Sequence, residues 1–285
     1  MNQDSSIKIM DITQRFGEKT VLKNLNLTLE KGEIFGLLGP SGAGKTTLIK
    51  ILTGQLMQTG GSAEVLGTDT RKLTSQVYTK MGMVLDNTGL YERLSCRDNL
   101  ALYAEIYRLP KKKIRETLKD VGLLEAEKRP VSKLSKGMKQ RLVMARALMH
   151  SPEILFLDEP GSALDPSTVK EIHNLIRREQ EKGATIFLTT HNMEEAAKLC
   201  DHVALLHEGE IVEYGNPEEI CRKYNHQNRI RILLKNGEEL TLQNESESAG
   251  KIQGLFASEQ VESIHSTEPN LETVFLELTG RRLES

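Results

Sequence analysis

The stretch Gly39-Pro40-Ser41-Gly42-Ala43-Gly44-Lys45-Thr46 constrains this chain more than any other. It follows the short apolar run Glu33–Leu38, which reads as a strand, and leads directly into a helical pattern over Lys45–Leu52. A strand, a glycine-rich turn and a helix are thereby fixed in that order. The glycines permit positive φ and close backbone approach, so successive N–H groups converge with the positive end of the helix dipole behind them. The pattern GxxxxGKT in that setting is built to hold phosphate, with Gly39, Pro40, Ser41, Gly42, Ala43, Gly44, Lys45, Thr46 and Thr47 as the binding set. Lys45 is expected at the β- and γ-phosphates and the Thr46 hydroxyl at Mg2+.

A second segment supplies acid groups. Ile154-Leu155-Phe156-Leu157 reads as a buried strand, and Asp158 and Glu159 follow at its carboxyl end. Asp158 fits an acceptor for Mg2+, while Glu159 fits the base that orients or deprotonates an attacking water. His191 follows the strand-like Thr185–Leu188 after two threonines, at the same sheet edge where an α/β fold binds its ligand.

Leu134-Ser135-Lys136-Gly137-Met138-Lys139-Gln140-Arg141 opens a different helix, expected from about Gly137 to Met149 with Ser135 as N-cap. Its free N–H groups make an anion-binding end. Because that end belongs to a helical segment rather than to the sheet edge, it is poorly placed to share a ligand with Lys45 of its own chain. A second copy related by a two-fold axis answers this, each chain lending its helix end to the other's nucleotide.

Strand signals at Ile7–Ile12 and Val21–Leu29 precede the phosphate loop, and Ile154–Leu157, Thr185–Leu188, Val203–Leu206 and Ile211–Glu213 follow it. The later ones alternate with helices, implying a parallel sheet covered by helices. Between Ser95 and His150 strand signals vanish; Ser95 with Asp98 resembles a capping box, and Leu100, Tyr103 and Tyr107, then Ile114, Leu118 and Val121, mark two helices. Beyond about Tyr224 a small unit begins. Ile230, Ile232 and Leu234 alternate into Asn236-Gly237, a type I′ hairpin signal, and Leu240 and Leu242 alternate out. A helix with Ile252, Leu255 and Phe256, a strand Val261–His265 and a last helix with Leu271, Val274, Phe275 and Leu278 before Gly280 complete it. That last stripe is expected to pack on its own sheet, with a docking face for a second subunit as the alternative.

With 285 residues, 38% hydrophobic and 27% charged, the chain has the composition of a globular protein rather than a disordered one. Its formal net charge of -2 gives no sign of a protein built to coat nucleic acid or an anionic membrane. The longest apolar runs are strand-sized, short of the ~20 residues a membrane helix needs. The polar start Met1–Ser6 carries no leader pattern, so a cytoplasmic location is expected. Cys96, Cys200 and Cys221 lack CxxC spacing and read as reduced structural thiols.

Taken together, the order of these motifs resembles the ATP-binding-cassette (ABC) ATPases over roughly Ile7 to Asn216. The resemblance implies an α/β P-loop NTPase fold: an antiparallel β subdomain, a parallel core sheet and a helical insert at about 91–150, all within residues 1–223. A small α+β accessory domain at 224–285 follows. It further implies a Walker A loop at Gly39–Thr46, a signature at Leu134–Met138 with Ser135 and Gly137 on the partner's nucleotide, and a Walker B at Ile154–Asp158. Glu159 becomes the catalytic acid residue, His191 the switch histidine, Ser162-Ala163-Leu164-Asp165 the D-loop, and Phe16 the aromatic against adenine. ATP and Mg2+, a homodimer enclosing two ATP sites and a separate transmembrane permease are the implied cofactors and partners, with no nucleic acid. The chain would then sit on the inner face of the cell membrane through that permease.

Two positions depart from the family pattern. The signature reads LSKGM rather than LSGGQ, a form similar to drug and peptide-antibiotic exporter ATPases, and Pro269–Leu278 resembles the ending of bacterial daunorubicin- or bacitracin-type exporters. Asp86, in Met83-Val84-Leu85-Asp86-Asn87, stands where the family usually carries the glutamine that links Mg2+ and water to the membrane subunit. A carboxylate there accepts from metal-bound water but cannot donate; Asn87 supplies an amide if the register slips by one. Asp86 is expected in Mg2+ binding and coupling, and a solvated loop acid is its bland reading. The rival readings are a soluble cassette ATPase acting on ribosomes or DNA, a small-molecule kinase, and an ATP-binding regulatory subunit without turnover.

Overall fold

The computed structural model describes residues 5–85, 89–226 and 228–280. They divide into two compact units, one ending at Tyr214 and one beginning at Gly215.

In the first unit β1 (Ser5–Phe16) and β2 (Lys19–Glu30) form an antiparallel ribbon. Their alternating residues Ile7, Ile9, Ile12, Leu25, Leu27 and Leu29 are buried on one face. Next come β3 (Ile34–Leu38), α1 (Lys45–Leu52), β4 (Gly60–Val65) and β5 (Thr68–Asp69), with the antiparallel sheet ordered β2-β1-β4-β5. Sequence periodicity gave no warning of β4 or β5, because Gly60-Gly61-Ser62 carries almost no side-chain pattern. Gly61 is required there: a Cβ at its φ of +73° would lie 2.4 Å from the Met10 carbonyl.

After α2 (Ser75–Tyr78) and β6 (Met81–Val84), the helical insert contributes α3 (Cys96–Ile106), α4 (Lys112–Asp120) and α5 (Lys136–Leu148). Ser95 caps α3, accepting from Asp98 N–H at 3.1 Å while its own hydroxyl reaches the Asp98 carboxylate at 2.6 Å. The chain continues as β7 (Ile154–Asp158), α6 (Pro166–Glu181), β8 (Thr185–Thr190), α7 (Met193–Leu199), β9 (His202–His207) and β10 (Glu210–Gly215). The six-stranded sheet is ordered β10-β9-β3-β8-β7-β6, and the pairs β9/β3, β3/β8, β8/β7 and β7/β6 are parallel.

Strands β3, β7 and β8 are buried at every position, as a parallel sheet covered on both faces demands. Phe35, Phe156 and Phe187 pack as tilted rings through this core, with ring centroids of Phe35 and Phe187 5.2 Å apart. The register sets the ends of these strands side by side: Leu38 pairs with Thr190 and Asp158 with Thr189. Three chain segments leave the sheet at one edge, and each carries one of the sequence motifs.

The second unit holds α8 (Pro217–Lys223), β11 (Arg229–Leu234), β12 (Glu239–Gln243), α9 (Ser246–Ala257), β13 (Val261–Ser266) and α10 (Leu271–Thr279), its antiparallel sheet ordered β12-β11-β13. The Asn236-Gly237 turn differs from expectation. Leu234 N–H donates to Glu238 O at 2.8 Å, so the loop has three residues rather than two, and of the pair only Gly237 has positive φ. Type I′ needs positive φ at both; this is a loop of the kind that sets one left-handed glycine beside a bulge. Leu271, Val274 and Phe275 of α10 are buried, with α8 packed against the helix, and Gly280 closes it at φ +66°. Ile252, Leu255 and Phe256 lie on α9 as expected, but no residue of that helix is buried.

Candidate functional site

The loop after β3 is shaped by what surrounds its glycines. A Cβ on Gly39 would lie 2.3 Å from the Leu206 carbonyl, and one on Gly44, at φ +113°, 2.5 Å from Leu22 Cδ2. A larger residue is therefore excluded at Gly39 by the fixed carbonyl and at Gly44 by its left-handed backbone as well as by packing. Pro40, Ser41 and Gly42 lead round the turn, Ala43 N–H donates to Pro40 O at 3.2 Å, and α1 starts at Lys45 with Thr46 and Thr47 in its first turn. No acidic residue of the helix itself occupies that turn, so its N-terminal N–H groups and dipole face the loop.

Lys45 is buried. Its ammonium donates to Gly39 O at 2.7 Å and Pro40 O at 3.2 Å and stands 3.5 Å from Glu159 Oε1. The Thr46 hydroxyl donates to Asp158 Oδ2 at 2.9 Å, and the Thr189 hydroxyl donates to Asp158 Oδ1. Asp158, nearly fully buried, thus has both oxygens satisfied, which is how a carboxylate survives at that depth.

Glu159 follows with φ +50°, a conformation a non-glycine residue adopts at a cost of ~1–3 kcal/mol. Its N–H donates to Thr189 O at 3.0 Å, which turns the chain sharply off β7 and carries the carboxylate to the sheet edge. There Glu159 Oε2 lies 2.8 Å from His191 Nδ1. The strand ends thus assemble a network of two side-chain sets, Lys45–Glu159–His191 and Thr46–Asp158–Thr189, set side by side by the adjacency of Lys45 to Thr46 and of Asp158 to Glu159.

That network fits Mg2+. Its donors near Thr46 are all oxygen, a hydroxyl and a carboxylate, and no group of three or more His, Cys, Asp or Glu among the described residues could hold a metal alone. A hard ion that keeps several waters and takes one or two carboxylates plus substrate phosphates suits such a sparse set.

Ser135 caps α5, accepting from Met138 N–H at 3.2 Å. Gly137 follows in the first turn, where a Cβ would lie 2.8 Å from Thr168 Oγ1 on α6. Thr168 in turn is held by Asp165, the cap of α6, whose Oδ2 accepts from Thr168 Oγ1 at 2.7 Å. Hydroxyl bonds from Ser167 and Thr168 and the Thr168 N–H hold the Asp165 carboxyl well below the usual carboxylate range. Among the described residues no hydrogen bond joins Ser135 or Gly137 to the phosphate loop. Phe16 is 50% exposed, an aromatic side chain left open at the surface rather than packed in the core. Asp86 and Asn87 lie outside the described residues.

Three further side chains, of which His173 and Glu195 carry no sequence signal, also organise this edge. Gln140 Nε2 donates to Pro160 O at 3.0 Å, tying α5 to the loop after β7. His173 Nε2 bonds Glu195 Oε1, and the Glu195 carboxylate fills the space a Cβ on Gly161 would need. Each lies on a helix, and the partner of each is remote in sequence.

A family profile described as ABC transporter matches residues 22–162. The bacitracin transport ATP-binding protein BcrA of Bacillus licheniformis is 35% identical, covering 96% of this chain and 97% of that protein. The fluoroquinolones export ATP-binding protein Rv2688c of Mycobacterium tuberculosis is also 35% identical, covering 97% and 94%. Among solved structures, an ATP-binding cassette dimer in a post-hydrolysis state bound to ADP and Pi superposes with a TM-score of 0.66 at 29% identity, covering 74% of this chain and 98% of that one.

Proposed function

We propose, from the premise that this chain belongs to the ATP-binding subunits of ABC transporters, that it powers export of a drug or antibiotic peptide through a separate membrane permease. The chain binds ATP and hydrolyses it to ADP and phosphate, the reaction of its family. Among the described residues no helix is long and apolar enough to cross a membrane. In this reading attachment to the inner face of the cell membrane comes from the permease, and selectivity for the exported molecule lies there too.

The observation that carries the reading is the network at the carboxyl edge of the sheet. Lys45 and the N–H groups of Gly39–Thr47 hold the β- and γ-phosphates, and Phe16 stacks on adenine. Thr46 and Asp158 hold Mg2+, which, when bound, neutralises charge on the phosphates. Glu159 Oε1 takes a proton from water as the water oxygen attacks the γ-phosphorus; the bond to the β-phosphate oxygen breaks and ADP leaves. His191 Nδ1 anchors Glu159 Oε2, which leaves its Nε2 for the γ-phosphate. Ser135 and Gly137 at the start of α5 serve the nucleotide of a second copy in a two-fold homodimer with two composite sites. Asp86 contributes to Mg2+ binding and to coupling with the permease. The accessory residues 224–285 take no part in the chemistry, and no nucleic acid is involved.

The test is Glu159→Gln. Turnover of the isolated chain should fall by about 10²–10⁴-fold while ATP binding persists and a nucleotide-trapped dimer accumulates, because the phosphate cradle is intact and the base is gone. Normal turnover, or a variant that stays monomeric with ATP bound, overturns the assignment.

A further inference from the structure

The balanced charge of the whole chain hides an asymmetry. Residues 91–150 carry 15 Lys and Arg against 7 Asp and Glu, a net of +8, which leaves -10 on the remainder of a chain whose total is -2. Part of this excess lines one place. A surface concavity of about 480 Å3 is lined by Ser95, Arg97, Asp98, Ala101, Lys111, Ile114 and Lys128. Its acids are already engaged: Asp98 holds the Ser95 hydroxyl at 2.6 Å, and Glu127 beside it is shared by Arg97 at 3.6 Å and Arg115 at 3.4 Å. Lys111, Lys112, Lys113 and Lys128 enter no ion pair among the described residues.

Helix α4 makes no folding sense of those lysines. Lys111 stands at its N-cap without a side-chain cap, Lys112 and Lys113 follow, and the first turn has no acid. Cations at that end oppose the dipole, and local rules are broken where function demands it. Beside the same concavity α3 exposes two aliphatic side chains. Leu102, one turn beyond Asp98, is 39% exposed, and Ile106, one turn further, is 69% exposed.

We propose that this face of the helical insert docks on an anionic phospholipid bilayer, with headgroup phosphates in the concavity of Arg97, Lys111 and Lys128 and with Leu102 and Ile106 at the acyl boundary. It rests on the reading that the chain works at a membrane. The residue types select lipid over protein. Clusters of four to eight Lys and Arg on an amphipathic element suit diffuse headgroup charge, whereas cores of protein interfaces are depleted of lysine. Isolated aliphatics flanked by cations are the pattern of an interfacial element rather than of a continuous docking groove. Permease docking and bilayer contact then act together, the second orienting the subunit against the leaflet.

The full chain is floated with vesicles of phosphatidylcholine alone or with phosphatidylglycerol. Binding should require phosphatidylglycerol and weaken with salt, and each lysine of the set 111, 112, 113 and 128 changed to glutamine should cost about fivefold, the ~1 kcal/mol of one basic residue near such a surface. The quadruple variant should keep parental ATP turnover, since these exposed lysines lie outside the network of Lys45 and Glu159. Leu102→Ser/Ile106→Ser should weaken the binding that survives at high salt. Equal binding to neutral vesicles, or undiminished binding by the quadruple variant, overturns the proposal; so does a quadruple variant that loses its membrane-protein partner while still floating, which makes the face a protein site. ATP turnover on the same samples separates the readings: an active chain that does not float refutes only the bilayer contact, and an inactive one that floats refutes only the ATPase assignment.

Discussion

Gly137 packs directly on Thr168: the position a Cβ would take on Gly137 is 2.8 Å from Thr168 Oγ1 and 2.9 Å from its Cγ2. The start of the signature helix therefore touches the first turn of α6, which Asp165 caps. The first turn of α5 and the first turn of α6 are held in register by one missing methyl group.

Gly137→Ala should consequently displace α5 and lower stability by ~1–3 kcal/mol through overpacking, and ATP turnover should fall with it. Thr168→Ala removes both offending atoms and leaves only the Cβ, 3.4 Å away. The double variant should recover part of the loss. A double-mutant cycle by denaturant unfolding with no coupling between these sites refutes the contact.

Gly39→Ala should abolish nucleotide binding, because its Cβ meets the rigid Leu206 carbonyl at 2.3 Å rather than a side chain that can move. Nucleotide titration checks this, with unfolding expected to show a loss of ~1–3 kcal/mol or more. Gly237→Ala is the control: nothing lies within 4 Å of that site, its φ of +85° is strained for alanine, and only stability should respond.

Asp158→Asn should shift the Mg2+ dependence of turnover to concentrations on the order of 10–100-fold higher. The fold should persist, since the hydroxyls of Thr46 and Thr189 that now donate to Asp158 can accept from an amide. Unchanged Mg2+ dependence in a magnesium titration excludes Asp158 from the metal site.

His150 should give the chain an acid-side instability. Burial holds its pKa below the ordinary value, opposed by the hydrogen bond to Met81 O; the ring stacks on Tyr107 at 4.1 Å and its Nδ1 is buried without a partner. Below about pH 6.5 the unfolded chain binds a proton that the folded one refuses, so stability falls with pH at up to ~1.4 kcal/mol per unit until the folded value is reached. Above that window the contribution is constant. His150→Phe keeps the stack and lacks the proton, so its unfolding free energy measured from neutral to mildly acid pH should flatten; an identical slope assigns the instability elsewhere.

The chemistry was legible because it is local. Phosphate binding needs consecutive N–H groups at fixed spacing, so Gly39–Thr46 announces itself; Asp158 and Glu159 announce themselves by ending an apolar run, and Ser135 by opening a helix. The buried strands β3, β7 and β8 fell within two residues of expectation for the same reason, since a parallel sheet covered on both faces leaves continuous apolar runs. Tertiary structure alone decided the rest. The antiparallel pairing of β4 is fixed by Gly61 under the Met10 carbonyl, the hairpin loop by a third residue before Glu238, and the bond of Glu159 to His191 by the register of β7 on β8. The first and the last depend on a partner tens of residues away, whereas the loop turns on the local bond of Leu234 to Glu238. Local spacing thus nominated the groups for the chemistry proposed, whereas the distances between them came from strand register and helix packing, which no local pattern encodes.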